Sequence, residues 1–248
     1  MSKESWLAEA KEWSRFAEGY DDEVYSVTKV PERLEQIMAR VKRGRVLNLG
    51  AGSTSHLNRA LIKDGNTVVA SDFNSDMLRV ARRRFQHPNL EYRHADSRDL
   101  EFGPETFDTA VSVNSILSEN RKDVQTMIDG VYRVIKYGGV FVAFMPSYHN
   151  VVEARKNLDI ACELDPDELR VMDTTGWQCF HTPVTIHKNL RTAGFSSHTI
   201  EVVLNTAEEE LRQFDKLYFP TTGPHRERYL KSPMYLYLVT ANKESEAE

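Results

Sequence analysis

Three short segments of this chain have the residue types and spacing to hold a nucleotide. Gly50-Ala51-Gly52 follows an apolar run, Arg45 to Leu49, and opens into a segment of helical period. Glycine has no side chain to keep a ligand away from backbone N–H groups, and the positive end of a following helix adds to the attraction. Asp72 stands twenty-two residues after Gly50, at the tip of the next apolar run, where a carboxylate can accept from ribose hydroxyls. Asp96, with Ser97 beside it, closes a third run and can accept from the exocyclic amine of adenine. Each of these residues also occurs in structural turns and helix caps, so the ordered set carries the reading and no single member does.

The elements that must position them follow from hydrophobic periodicity. Short apolar runs alternate with longer segments of helical period, which predicts an α/β fold with a largely parallel sheet. Strands are expected at 45–49, 67–70, 90–94, 107–113, 140–144, 199–204 and 234–239. Helical spacing is read at Trp6, Ala10, Trp13 and Ala17, from Pro31 to Val41, through Leu57, Ala60 and Leu61, and through Met77, Leu78, Ala81 and Phe85. The clearest stripe runs from Val124 to Ile135, with Gly138-Gly139 as its stop. Arg79, Arg82, Arg83 and Arg84 are expected on a solvated face. Pro146 to Pro183 carries mixed charge without a strand pattern and reads as a lid or an insertion with helices of its own.

With 248 residues, 40% apolar and 28% charged, the chain is expected to form one domain. Its parts are an N-terminal helical cap (1–44), a core (45–145), the insertion (146–183), a second half (184–242) and a disordered tail from Lys243. A net charge of −5 argues against broad, phosphate-driven nucleic-acid binding. Cys162 and Cys179 make neither a disulfide framework nor a multi-cysteine metal site, and no metal site is expected. Without an apolar run of membrane-spanning length or a secretory signal, the expectation is a cytoplasmic protein with no membrane partner.

Taken in order, Val46-Leu-Asn-Leu-Gly-Ala-Gly52, Val69-Ala-Ser-Asp72, His94-Ala-Asp96, Phe107-Asp108 and Gly138-Gly139 resemble the class I S-adenosylmethionine-dependent methyltransferases. The resemblance spans about Tyr20 to Phe144. It implies a doubly wound, Rossmann-like sheet of seven strands, the last inserted antiparallel beside the sixth. It also implies S-adenosylmethionine as cofactor, its methionine part over Gly50, Ala51 and Gly52 and its ribose on Asp72. Adenine would lie between Phe73 or Met77 and the Asp96-Ser97 turn, with Asn114 near the sulfonium. Tyr20 and Tyr25 resemble the aromatic residues that close over the cofactor in small-molecule members. Two positions depart from the family pattern: Asn48 stands for the strand-one acid and Thr54 for a third glycine, which implies altered contacts.

Methyl transfer is a direct displacement, so such a protein supplies alignment, desolvation and sometimes a base. His149 and His181, flanking the insertion, are the candidate bases for a hydroxyl acceptor. Trp177 and Phe180 are candidate walls for the acceptor. Seven acids against three basic residues in the insertion hint at an amine. Asn114-Ser115-Ile116-Leu117 lacks the two prolines and the aromatic residue of nucleic-acid amino-methyltransferases, and Glu119 stands alone where protein-arginine enzymes carry a double-glutamate loop. The expectation is therefore transfer to a nitrogen or oxygen of a small molecule. A nicotinamide-dependent reductase, a non-catalytic cofactor-binding module and another use of the sulfonium stay open.

Overall fold

A computed structural model describes residues 3–20, 26–158, 162–173, 176–218, 229 and 232–244 of the chain. In chain order the elements are α1 (Lys3–Phe16), a 3-10 turn (Val27–Lys29), α2 (Pro31–Met38), β1 (Arg45–Leu49), α3 (His56–Lys63), β2 (Thr67–Asp72), α4 (Ser75–Arg84), β3 (Leu90–His94), β4 (Phe107–Val113), α5 (Arg121–Val134) and β5 (Ile135–Pro146). They continue with α6 (Tyr148–Leu158), β6 (Leu164–Asp165), β7 (Arg170–Asp173), β8 (Gly176–Cys179), α7 (Pro183–Ala193), β9 (Ser197–Leu204), α8 (Glu208–Tyr218) and β10 (Tyr235–Asn242). Seven strands form the main sheet in the order β3-β2-β1-β4-β5-β10-β9. β10 runs antiparallel between β5 and β9, and the other neighbours pair parallel, as the resemblance implies.

Alternation along the strands divides the core between the two faces of this sheet. Leu47, Val69, Ala110, Phe141 and Ala143 pack against Val124, Ile128 and Val131 of α5 and Ile186 and Leu190 of α7. Val46, Val68, Val111, Val140 and Val142 face Ile37 of α2 and Leu57 and Leu61 of α3. Local chemistry sets the helix ends. Thr182 and Thr185 make a reciprocal capping box at the start of α7, with Pro183 in its first turn. Asn74 caps α4 by accepting from the Asp76 and Met77 N–H groups. Its amide then donates to Ala10 O at 2.6 Å and Ser14 Oγ at 3.1 Å, which fastens α1 onto the start of α4.

Three expectations are corrected. The stripe of α5 does not run to Gly138: the helix stops at Val134, and buried Ile135 turns extended to pair with Phe107 at the start of β5. The insertion does hold strands, since β6, β7 and β8 form a small antiparallel sheet behind α6. Strands of two to four residues are too short for alternation to register in sequence. Finally, Lys243 is not part of a loose tail. It is buried, with its ammonium donating to the Tyr132 and Ile135 carbonyls at the end of α5.

The arginine run faces solvent as expected, with Arg79, Arg82 and Arg83 exposed, and it also makes contacts of its own. Arg84 donates to the Ser53 and Glu18 carbonyls, and Arg83 pairs with Glu18, so α4 grips both the glycine loop and the turn after α1.

Candidate active site

The carboxyl ends of β1, β2 and β4 open on one cavity, at the point where strand order reverses direction across β1. It contains about 840 Å³ of empty space, part of it open to solvent. Gly50, Gly52, Asp72, Phe73, Met77, Asp96, Ser97, Asn114 and Tyr20 all line it. Glu9 and Trp13 of α1 and Gln178 of β8 line it too, and Gln178 Nε2 donates to Glu9 Oε1 at 3.3 Å, joining the N-terminal helix to the insertion.

Gly50 has φ +64° and Gly52 φ +59°, the left-handed region that side chains other than glycine's rarely adopt. A Cβ on Gly52 would stand 3.6 Å from the Tyr20 ring, so the aromatic lies directly over the loop. The Gly52 N–H donates to Asp72 Oδ2 at 2.8 Å and the Asn74 N–H to Oδ1 at 2.9 Å. Asp72 thus ties the glycine loop to the start of α4. It is 7% exposed, and burial pushes its carboxyl up to about 6 against the pull of the Asn74 and Gly52 N–H groups and the His94 charge.

Asn114 follows β4 directly at φ +52°, its N–H donating to Phe144 O. Its Oδ1 is buried and has no partner among the described residues, a state that a donor on a bound ligand would relieve. Asp96 accepts the forked contact of Arg98 and the Arg98 backbone N–H.

Other expected residues lie elsewhere. Ala51 is buried beside the cavity without lining it, its N–H donating to Ser71 O. Tyr25 falls outside the described residues. Asn48 donates to Asn58 Oδ1 within the core and Thr54 accepts from the His56 N–H, so neither departure from the family pattern touches the cavity. Trp177 lies under the Arg170 guanidinium, and neither it nor Phe180 lines the cavity.

The two histidines expected to act as bases are likewise set apart from the cavity. His149 is exposed on α6 against the Tyr148 ring. His181 is fully buried, and its Nε2 donates to Ile116 O at 2.8 Å, because a carbonyl can only accept. Burial lowers its pKa to about 4, with Arg121 adding to the effect. Replacing His181 with alanine should therefore destabilise the fold by about 1–3 kcal/mol while turnover per folded molecule is retained. Unfolded histidine takes its proton near pH 6.5, above the native value, so stability should be lost as pH falls from about 6.5 to 4. Thermal melts at pH 4.5 and 7.5 check this, because a His181→Gln variant should lose less stability over that interval.

Of the lining residues that the sequence reading left unassigned, Trp13 carries a signal in its helical spacing and Arg98 in its place two residues after Asp96. Met127 carries one in the stripe of α5, whereas Glu9 and Gln178 reach the cavity only through tertiary packing and carry none.

Residues 46–139 match a family model described as a methyltransferase domain. A demethylmenaquinone methyltransferase of Clavibacter sepedonicus is 32% identical over 171 residues, covering 64% of this chain and 69% of that relative. The chain belongs to the class I S-adenosylmethionine-dependent methyltransferases. Its cofactor is S-adenosylmethionine. A second relative of the methyltransferase, a phosphatidylethanolamine N-methyltransferase of Cereibacter sphaeroides, is 33% identical over 129 residues, 50% of this chain and 61% of the relative. Among solved structures, one from a complex between the Haloferax volcanii Trm112 methyltransferase activator and a methyltransferase superposes with a TM-score of 0.66 at 18% identity, covering 97% of this chain and 98% of that one. That likeness concerns the fold. No described helix of the methyltransferase is long and apolar enough to cross a membrane.

Proposed function

We propose that this methyltransferase transfers a methyl group to a nitrogen or oxygen of a small amphiphilic molecule, inside the cavity roofed by α1 and β8. One observation carries this reading: the glycine loop, Asp72 and Asn114 line the same cavity as Trp13, Leu117 and Met127. Apolar walls with a few convergent polar groups are the usual lining of small-molecule sites.

The residues present fit S-adenosylmethionine. The Gly50 to Gly52 loop would receive its methionine part and Asp72 its ribose, with its adenine between Phe73 or Met77 and the Asp96-Ser97 turn, Tyr20 over the loop and Asn114 toward the sulfonium. When bound, S-adenosylmethionine supplies an electrophilic methyl group and a good leaving group. The chain then contributes orientation, with the Gln178 to Glu9 contact fixing α1 against β8 beside the cavity.

Support for an amphiphilic acceptor comes from two relatives, named for demethylmenaquinone and phosphatidylethanolamine. A quinone-type acceptor is the second reading, favoured by the first of these, of which the chain covers 69%. The test is incubation with methyl-labelled S-adenosylmethionine and a panel of amphiphilic amines, quinols, fatty acids, DNA and RNA, followed by mass spectrometry. Equal amounts of S-adenosylhomocysteine and a methylated small molecule are expected, and the position of the label separates nitrogen, oxygen and carbon transfer. Methylation of nucleic acid alone, or consumption of cofactor without a methylated product, would contradict the proposal.

A further inference from the structure

Arg98 follows directly on the Asp96-Ser97 turn and lines the cavity, its side chain only 17% exposed. Nε donates to Asp96 Oδ1 at 2.9 Å, Nη2 donates to Oδ2 at 2.5 Å, and the Arg98 backbone N–H donates to Oδ1 at 2.9 Å. Such a fork fixes the plane of a carboxylate, which a single point charge cannot do. On its other side Nη1 lies 3.8 Å from Asp123 Oδ2, and that carboxylate is itself held by Ser118 Oγ and Asn120 Nδ2. Glu9 of α1 adds a third negative charge nearby. One cation therefore stands among three carboxylates at the edge of the cavity.

The arrangement has a consequence for what Asp96 can recognise. An ionised carboxylate only accepts hydrogen bonds, so it favours a purine with an amine at its edge and repels one with a carbonyl there. A carboxyl that loses its counter-charge among other acids takes up a proton more readily, and one that loses its fork can rotate. Either change lets it donate to a carbonyl.

We propose that Arg98 is a positioning residue that sets selectivity for an adenosyl cofactor over its deaminated, inosyl form, by holding Asp96 as an obligate acceptor. The proposal rests on the assignment of Asp96 to the exocyclic amine of adenine.

Calorimetric titration with S-adenosylhomocysteine and S-inosylhomocysteine tests it, on the wild type and on Arg98→Met, Arg98→Lys and Asp96→Asn, each with a thermal melt. The wild type should prefer the adenosyl ligand by about tenfold or more, the scale of a charged hydrogen bond. Arg98→Met should bring the preference to within about threefold, Arg98→Lys should recover part of it, and Asp96→Asn should abolish or reverse it. A wild type without preference overturns the Asp96 assignment itself. If the wild type discriminates and Asp96→Asn does not, yet Arg98→Met keeps the full ratio at weaker overall affinity, Arg98 is only structural and the proposal fails. Should Arg98→Met not fold, Arg98→Lys decides, and an unchanged ratio in that variant overturns the proposal.

Discussion

Replacing Gly50 with alanine is expected to remove measurable cofactor binding and to destabilise the fold together. An L-residue at φ +64° costs about 1–2 kcal/mol on backbone grounds alone. The new Cβ would stand 2.2 Å from Ser115 Cβ and 2.5 Å from Ser115 Oγ, well inside any tolerable contact. Ser115 cannot retreat cheaply, because its hydroxyl donates to Leu49 O at 2.8 Å and shares a hydrogen bond with Ser112 at 2.7 Å. The ends of β1 and β4 must then move apart, and these are the ends that shape the cavity. A loss of about 2–4 kcal/mol in stability and at least about a hundredfold in affinity should follow, measured by denaturant unfolding and calorimetry. Adding Ser115→Gly relieves the collision but not the φ, so the double variant should recover part of both. Cofactor affinity in Gly50→Ala within about threefold of wild type would show that the loop does not approach the ligand as described.

The second large effect concerns Asp72. Asp72→Ala leaves the buried Gly52 and Asn74 N–H groups without their acceptor and removes the carboxylate from the ribose position. Cofactor affinity should fall by at least about 1.5 kcal/mol, more than tenfold. The same carboxyl makes two opposed pH trends. Its native pKa of about 6 lies above the unfolded value near 3.9, so the native state binds the extra proton between them. Its contribution to the stability of the cofactor-free fold is then full below about pH 3.9 and lost as pH rises through about 6. Accepting from ribose hydroxyls favours the ionised form, so cofactor affinity should instead rise through about pH 6 and level off above it. Asp72→Asn should flatten both trends. A wild-type affinity that does not change between pH 5 and 7.5 would sink the ribose assignment.

Much of this was legible in sequence where local chemistry and packing agree. The alternating runs at Arg45 to Leu49 and Phe107 to Val113 are buried on both faces, so their composition carries their structure. Gly50, Gly52 and Asp72 were legible because a tight turn between a strand and a helix restricts which residues can stand there. Asp96 was legible as an acceptor, but its engagement by Arg98 depends on a side-chain direction that spacing does not encode. The histidines were misplaced for a related reason. His181 lies in the insertion three residues after Gln178, which lines the cavity, yet beside the β-bridge between Ser147 and His181 its ring turns to Ile116 O instead. Glu9 and Trp13 belong to a helix held by the Asn74 contacts with Ala10 and Ser14, which lie 64 and 60 residues away in the chain.

Calorimetric titration of S-adenosylmethionine and S-adenosylhomocysteine into the purified chain, with NADH and NADPH alongside, bears most directly on the central claim that this cavity is the cofactor site. Binding of the first two at one per chain, weakened more than tenfold by Asp72→Ala and absent for the nicotinamides, is the expected result. Binding that Asp72→Ala leaves unchanged, or heat from a nicotinamide cofactor in place of the sulfonium, would contradict it.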